Sequence, residues 1–325
     1  MRQGKASRPS AVVLAYHNVG VRCLKVLLAH DIDVRLVVTH RDDPGENIWF
    51  GSVAQIAADY GLPTLAPQDV NVAAVTSRIA GLAPDFLFSF YYRQMVKPAL
   101  LAVPERGALN MHGSLLPKYR GRAPVNWAVL HGERETGATL HYMTEKPDNG
   151  DIVAQCAVPI LPDDTAQEVF DKVTVAAEIA LDGAMPALIA GTAPRIPQDL
   201  KRGGYFGGRK PADGIIDWSK DAATIHNLVR AVAPPYPGAM TSVGGVPARI
   251  LRTHVLAQPS EPTLAPTLES TGDRLIARCG GGGALQVSWL ELDGVTTDAT
   301  AFRARFGSSP VLLGDRAPYT VPLPV

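Results

Sequence analysis

The sequence predicts an open, mostly parallel α/β sheet followed by a smaller β-rich domain. Three observations predict it. Over the first half, short apolar runs alternate with helical patterns at the spacing of βαβ units. From about residue 192 to Lys210 the composition shifts to Pro, Gly and basic residues. Beyond one further short helix, brief β-like runs alternate with glycine turns.

In chain order, residues 11–16 form an apolar run that stops at His17-Asn18-Val19-Gly20. Val21, Leu24, Val26, Leu27 and Leu28 then recur at helical spacing, and 34–38 is a second apolar run. A helix over 52–60, a short run at Leu65, a helix over 75–82 and strands at 86–90 and 109–111 continue the alternation. Thr165-x-x-Glu168 has the pattern of a capping box, and Val169, Phe170, Val173, Ala177, Ala180 and Leu181 predict a long amphipathic helix ending near Gly191. Ile225, Leu228, Val229 and Val232 mark a short helix, stopped by Pro234-Pro235-Tyr236-Pro237-Gly238. Gly280 to Gly283 is a turn between runs 275–277 and 285–287. The resulting division is a flexible N-terminus over 1–10, a catalytic domain over 11–195, a linker over 196–210 and a β-rich domain over 211–325, with little periodicity after Ser308.

The 325 residues are 46% hydrophobic, enough for a sizeable core. Lys plus Arg equals Asp plus Glu at 31 each, so the global positive charge of a nucleic-acid binder is missing. Cys23, Cys156 and Cys279 are widely spaced, and neither a Cys-x-x-Cys pair nor zinc-like Cys/His spacing occurs. His17, His30, His40, His141, His226 and His254 show no ligand-like spacing, and no metal is assigned. No apolar run approaches bilayer length, and the N-terminus does not have the pattern of a signal peptide. These features predict a cytoplasmic protein without membrane or nucleic-acid partners.

Residues 109–124 carry the functional signal. On a strand, Asn110 and His112 share one face while Leu109 and Met111 take the other. A carboxamide can donate to developing oxyanion charge, and an imidazole can move a proton. Lys118, Arg120, Arg122 and His131 follow, a set suited to an anionic substrate. A polar pair satisfied within the protein is the competing reading. Asp148 and Asp151 lie in Lys-Pro-Asp-Asn-Gly-Asp, a turn signature in which carboxylates are ordinarily solvated; beside His112, either would raise the imidazole pKa. The loop His17-Asn18-Val19-Gly20 does not match G-x-G-x-x-G, which argues against a nicotinamide dinucleotide and leaves a phosphate site or an ordinary turn. Arg209-Lys210 is either a phosphate contact or a solvated charge pair.

The stretch Asn110-x-His112-Gly-Ser-Leu-Leu-Pro-Lys-Tyr-Arg-Gly-Arg-Ala-Pro resembles the folate-dependent formyltransferases. Val13-Leu-Ala-Tyr-His17, Thr39-His-Arg-Asp-Asp-Pro-Gly-Glu46, Gly51-Ser-Val-Ala54 and Phe88-Ser-Phe-Tyr-Tyr-Arg93 are similar to the branch that formylates UDP-4-amino-4-deoxy-L-arabinose. Gly132-Glu-Arg-Glu-Thr-Gly137, Val229-Arg-Ala-Val232 and Pro235-Tyr-Pro-Gly-Ala239 extend the likeness, which runs from about residue 11 to about residue 290.

The resemblance implies a Rossmann-like domain followed by an OB-like barrel. It implies Asn110, His112 and Asp148 as catalytic residues, with Asp151 the decoy. It places 10-formyltetrahydrofolate, the co-substrate, on Gln94, Met95, Val96, Arg122, Thr144, Glu145, Lys146, Pro147 and Asp148. Gly20 and Arg209 are candidate substrate contacts. The implied reaction is formylation of the 4-amine of UDP-4-amino-4-deoxy-L-arabinose, in lipid A modification and polymyxin resistance. Another nucleotide-linked amino sugar, methionyl-tRNA, or folate binding without turnover are the alternatives. No metal is needed, and a separate dehydrogenase/decarboxylase is expected upstream. Lys-Pro-Asp-Asn-Gly-Asp departs from the branch around the catalytic Asp.

Overall fold

A computed structural model describes residues 8–257 and 261–314. The expected flexible N-terminus lies outside the described residues as far as residue 7, and so does the aperiodic C-terminal stretch from 315 onward. The chain divides into two compact units that interleave in sequence. The first comprises residues up to 124, 135–158 and 171–207; the second comprises 125–134, 159–170 and 208 onward.

The first unit is built on strands β1 (Ser10–Ala15), β2 (Asp33–Val38), β3 (Thr64–Leu65), β4 (Phe86–Phe90) and β5 (Gly107–His112), with helices α1 (His17–Ala29), α2 (Val53–Asp59), α3 (Ala73–Gly81) and α4 (Pro98–Leu101) between them. Two further strands, β7 (Glu135–Tyr142) and β8 (Ile152–Pro159), complete a seven-stranded sheet of order β3-β2-β1-β4-β5-β7-β8. Its first five strands are parallel, and β7 joins β5 antiparallel. All five residues of β4 are buried, as expected for a central parallel strand covered on both faces. The strand order reverses at β1, the switch point at which Rossmann-like sheets open a crevice beyond their carboxyl ends. Val12, Leu14, Leu36, Val38, Ile79, Leu87 and Leu100 form one buried core of this unit.

The segment read as a linker contains a strand. Residues Tyr205–Phe206 (β9) pair in parallel with Arg120–Gly121 (β6), and the Tyr119 and Phe206 rings stack at 5.0 Å. The Pro/Gly composition hid this pairing, because two-residue strands carry no periodicity.

Helix α5 spans Pro124–Leu130 and α6 spans Ala166–Ala190. At the start of α6 the capping box forms as expected: Thr165 N–H donates to Glu168 Oε2 at 2.7 Å, and Glu168 N–H donates to Thr165 Oγ1 at 3.3 Å. Thr165→Ala is expected to lower stability by about 1 kcal/mol, readable as a shift in urea midpoint. Helix α6 is long and apolar enough to cross a membrane, which corrects the expectation that no segment is. Val173, Ala176, Ala177, Ala180, Leu181 and Leu188 on it are buried, the pattern of a core helix.

The second unit contains α7 (Ala222–Ala231), strands β10 (Ala239–Val243), β11 (Val246–Val255), β12 (Thr267–Thr271), β13 (Arg274–Arg278), β14 (Ala284–Leu292) and β15 (Val295–Thr296), helix α8 (Ala299–Phe306) and β16 (Val311–Leu312). The sheet order is β10-β11-β14-β13-β12-β16, antiparallel throughout, with β15 added to β14. Its two edges meet: Val243 bridges Leu313, and Gly244 N–H donates to Leu312 O at 2.9 Å. That closure makes a barrel, filled by Trp218, Ile225, Val229, Ile250, Leu285 and Phe302.

Candidate active site

Strand β5 delivers Asn110 and His112 to its carboxyl end on one face, as the alternation requires. The antiparallel register places Asn110 opposite His141 and His112 opposite Thr139. Thr139 organises the loop that follows β5. Its hydroxyl donates to Ser114 O at 2.6 Å and accepts from Leu116 N–H at 3.1 Å and Gln155 Nε2 at 2.9 Å. Directly after His112, a Cβ on Gly113 would stand 1.9 Å from Tyr91 Oη, so glycine leaves the space that the Tyr91 ring occupies.

Asp148 arrives from the turn between β7 and β8. Its Oδ1 lies 3.5 Å from His112 Nδ1 and 3.6 Å from His141 Nε2, and its Oδ2 accepts from Gly121 N–H at 2.8 Å. Gly150 seats this turn, since a Cβ there would stand 1.9 Å from Tyr142 O. Arg120 Nη1 donates to Asn149 Oδ1 at 2.7 Å. Arg120, first grouped with the anion-binding cations, is therefore a clamp on the Asp148 turn. Tyr91, Tyr119, Ala123 and Asp148 all have φ between 52° and 56°. Such left-handed non-glycine backbones are strained.

His112 Nε2 lies 2.8 Å from Tyr119 O, an acceptor, so Nε2 carries the hydrogen and Nδ1 is left to exchange a proton. Burial lowers the His112 pKa, and the Asp148 carboxylate and the Tyr119 carbonyl offset this only in part. Asp148 acts in the expected upward direction, but desolvation of the enclosed ring outweighs the nearby charge and the net shift is downward. For Asp148 the balance runs the other way. Burial raises its pKa, but His112, His141 and the Gly121 N–H hold the carboxyl well below the usual carboxylate range.

The structure thus brings Asn110, His112 and Asp148 together; Asp151 instead uses its carbonyl to accept from Tyr142 N–H at 2.9 Å. Thr144, Glu145 and Lys146 are exposed beside the turn, and Pro147 is half-buried. Arg122 is exposed, its backbone N–H tied to Phe206 O at 2.9 Å. Of the other expected folate contacts, only Met95 presents an exposed side chain. The Gln94 amide is engaged by Val70 N–H and Gln68 O, and the Val96 side chain belongs to the core.

Gly20 is buried, and a Cβ there would meet Val53 at 3.0 Å and Ala15 at 3.1 Å, so it packs closely at the start of the first helix. Arg209 lies in the second unit, over the Trp127 ring at 4.7 Å, with Nη2 donating to Asp213 O at 3.0 Å. His141, 3.2 Å from Asn110 Nδ2, is brought beside the constellation by antiparallel register and not by spacing along the chain. The alternation of 135–142 was the available signal.

The blocks Tyr16-His17, Asp42 to Glu46 and Tyr92-Arg93 gather in the first unit. Arg93 forms a two-pronged ion pair with Glu46 at 2.7 and 2.5 Å, its guanidinium lies 4.6 Å over the Tyr16 ring, and Tyr16 Oη donates to Asp42 Oδ1 at 2.8 Å. His17 caps the cluster, stacked on Phe50 at 3.9 Å, and burial pushes its pKa down to about 4.

A Rossmann-like unit that carries an Asn, a His and an Asp at the carboxyl end of β5, with a closed barrel beside it in the chain, defines a two-unit transferase architecture. The chain belongs to the formyl transferase family: residues 21–184 match Formyl transferase, and 209–306 match Formyl transferase, C-terminal domain. An N-formyltransferase from Helicobacter canadensis, solved with folinic acid and dTDP-3-aminofucose, is similar in fold at 20% identity and TM-score 0.69, over 86% of this chain and 99% of that one. WlaRD, a sugar 3N-formyl transferase solved in the presence of dTDP and 5-N-formyl-THF, is similar at 20% identity and TM-score 0.68, over 87% and 98%. HypX from Aquifex aeolicus, in complex with tetrahydrofolic acid, is similar at 17% identity and TM-score 0.60, over 92% of this chain and 48% of that one.

Proposed function

We propose that the chain transfers the formyl group of 10-formyltetrahydrofolate to the 4-amine of UDP-4-amino-4-deoxy-L-arabinose. The observation that carries this reading is the convergence of Asn110, His112 and an ionised Asp148 at one strand end. The neutral amine attacks the formyl carbon, a C–N bond forms, and the bond from that carbon to the folate nitrogen breaks. Asn110 donates a hydrogen bond to the oxyanion that develops. His112 takes the amine proton at Nδ1 and passes it to the departing folate nitrogen. Asp148 stabilises the transient imidazolium. The exposed loop 144–146, with Met95 and Arg122, is the surface that would meet the folate. The sugar assignment rests on the motif blocks around Tyr16, Glu46 and Arg93, and their gathering into one cluster supports it.

A second reading, transfer to a different nucleotide-linked amino sugar, is favoured by the dTDP-3-aminofucose of the Helicobacter canadensis structure and the dTDP of the WlaRD structure. An acceptor panel separates the two. Tetrahydrofolate release is followed with UDP-4-amino-4-deoxy-L-arabinose, dTDP-3-aminofucose and methionyl-tRNA. Highest kcat/KM is expected for the first; turnover with methionyl-tRNA alone would refute both readings.

A pH profile tests the base. His112 must be neutral to accept a proton, and burial holds its pKa below the ordinary value of 6.5. Because the neutral form persists below that value, kcat/KM expressed per neutral acceptor amine is expected to stay level from about pH 8 down to about pH 6.5 and to fall only at lower pH. An acidic limb centred above about 7 that remains after this division by the neutral amine fraction would contradict the assignment.

A further inference from the structure

We infer that His141 is a positioning residue that fixes which way the Asn110 carboxamide points. The inference rests on the formyl-transfer reading above. His141 is 1% exposed and sits directly opposite Asn110 across the β5–β7 pair. Its Nδ1 lies 2.8 Å from the carbonyl oxygen of Tyr142. A carbonyl only accepts, so Nδ1 carries the hydrogen, and the neutral ring offers only a lone pair at Nε2. Two groups face that lone pair. Asn110 Nδ2 stands at 3.2 Å, within hydrogen-bond distance, whereas Asp148 Oδ1 stands at 3.6 Å, beyond it. Nε2 therefore accepts one hydrogen of the Asn110 amide.

The consequence is directional. A carboxamide has a donor end and an acceptor end of nearly equal shape, and only the donor end can stabilise an oxyanion. Turning Asn110 over would set its Oδ1 against the His141 lone pair, acceptor against acceptor. His141 thus holds Nδ2 toward the Asp148 side and leaves its second hydrogen for the reacting oxygen. Tyr142 O fixes the tautomer, and the tautomer fixes the amide. His112 cannot perform this service, because its Nε2 is committed to Tyr119 O and its Nδ1 faces Asp148.

Two measurements test this. In the first, 15N-edited NMR of the ring nitrogens of the intact protein reads the tautomer without any substrate. For neutral His141, hydrogen on Nδ1 and none on Nε2 is expected; hydrogen on Nε2 overturns the inference. The second uses His141→Phe, His141→Gln, Asn110→Ala and the His141→Phe/Asn110→Ala double variant, with thermal melts confirming that each is folded. The acceptor is whichever of UDP-4-amino-4-deoxy-L-arabinose and dTDP-3-aminofucose the wild type formylates. His141→Phe is expected to lower kcat by about 10- to 100-fold, part of the value of one oxyanion donor, with KM for 10-formyltetrahydrofolate changed by less than about twofold. Gln can bring a carbonyl oxygen near the Nε2 position, so His141→Gln should stay within about fivefold of wild type. In the Asn110→Ala background, His141→Phe should cost less than about threefold, because there is no amide left to orient. Additive losses, or a Gln variant as poor as Phe, overturn the inference. If the wild type formylates neither amine, the functional reading fails on its own, and the tautomer measurement still decides the role of His141.

Discussion

His112→Ala is expected to lower kcat by about 100- to 10,000-fold, the usual value of a positioned general acid–base group. The size follows from the geometry. His112 Nε2–H is held by Tyr119 O, and Nδ1 faces Asp148 Oδ1 at 3.5 Å. Among the described residues, the other imidazole beside Asp148 is not placed to substitute, since His141 has its Nδ1 against Tyr142 O and its Nε2 against Asn110. The His112 ring is buried, while Thr144, Glu145, Lys146, Met95 and Arg122, the proposed folate contacts, are exposed. Folate binding should therefore survive. Fluorescence titration with 5-formyltetrahydrofolate is expected to give a Kd within about threefold of wild type, less than 1 kcal/mol. Single-turnover formyl transfer should be nearly abolished. Near-normal turnover would remove His112 from the proton path.

Asn110→Ala is expected to cost about 100- to 1000-fold in kcat, corresponding to roughly 3 kcal/mol for one oxyanion donor. The loss should fall on kcat more than on either KM, because the hydrogen bond strengthens only as charge develops on the formyl oxygen. An equal rise in KM at unchanged kcat would show instead that Asn110 binds the ground state. The pH profile should keep its shape in this variant, since Asn110 does not titrate and His112 keeps Asp148 and Tyr119 as partners. The two substitutions thus differ in kind: one removes the proton path, and the other removes charge stabilisation and leaves the path intact.

Much of the first unit was legible because it is written in local pattern. Strand β4 reads as an apolar run broken only by Ser89 since it is covered on both faces, and α6 announces its start with Thr165 and Glu168. Strand β5 shows Asn110 and His112 two residues apart, which already places them on one face. Strands β7 and β8 carry a weaker pattern: β7 sets Glu135, Gly137, Thr139 and His141 on one face and Thr136, Ala138, Leu140 and Tyr142 on the other, an alternation with only two aliphatic residues. Helical pattern likewise gave no hint that 205–206 pairs with 120–121, a contact between segments more than eighty residues apart.

The sequence by itself determined the βαβ succession, the change to a β-rich second part, and the Asn110-x-His112 pair with its resemblance to formyltransferases. Those properties depend on residues close together in the chain, where period and spacing are sufficient. Only the tertiary structure decided how close Asp148 stands to His112 and His141, that Gly20 packs against Val53 and Ala15, and that Arg120 clamps the Asp148 turn. It also decided that burial outweighs the carboxylate in setting the charge of His112, and that His141 stands against Asn110. The physical reason is common to all of these. Strand register, desolvation and charge proximity are properties of distance in space, and distance along the chain does not fix them.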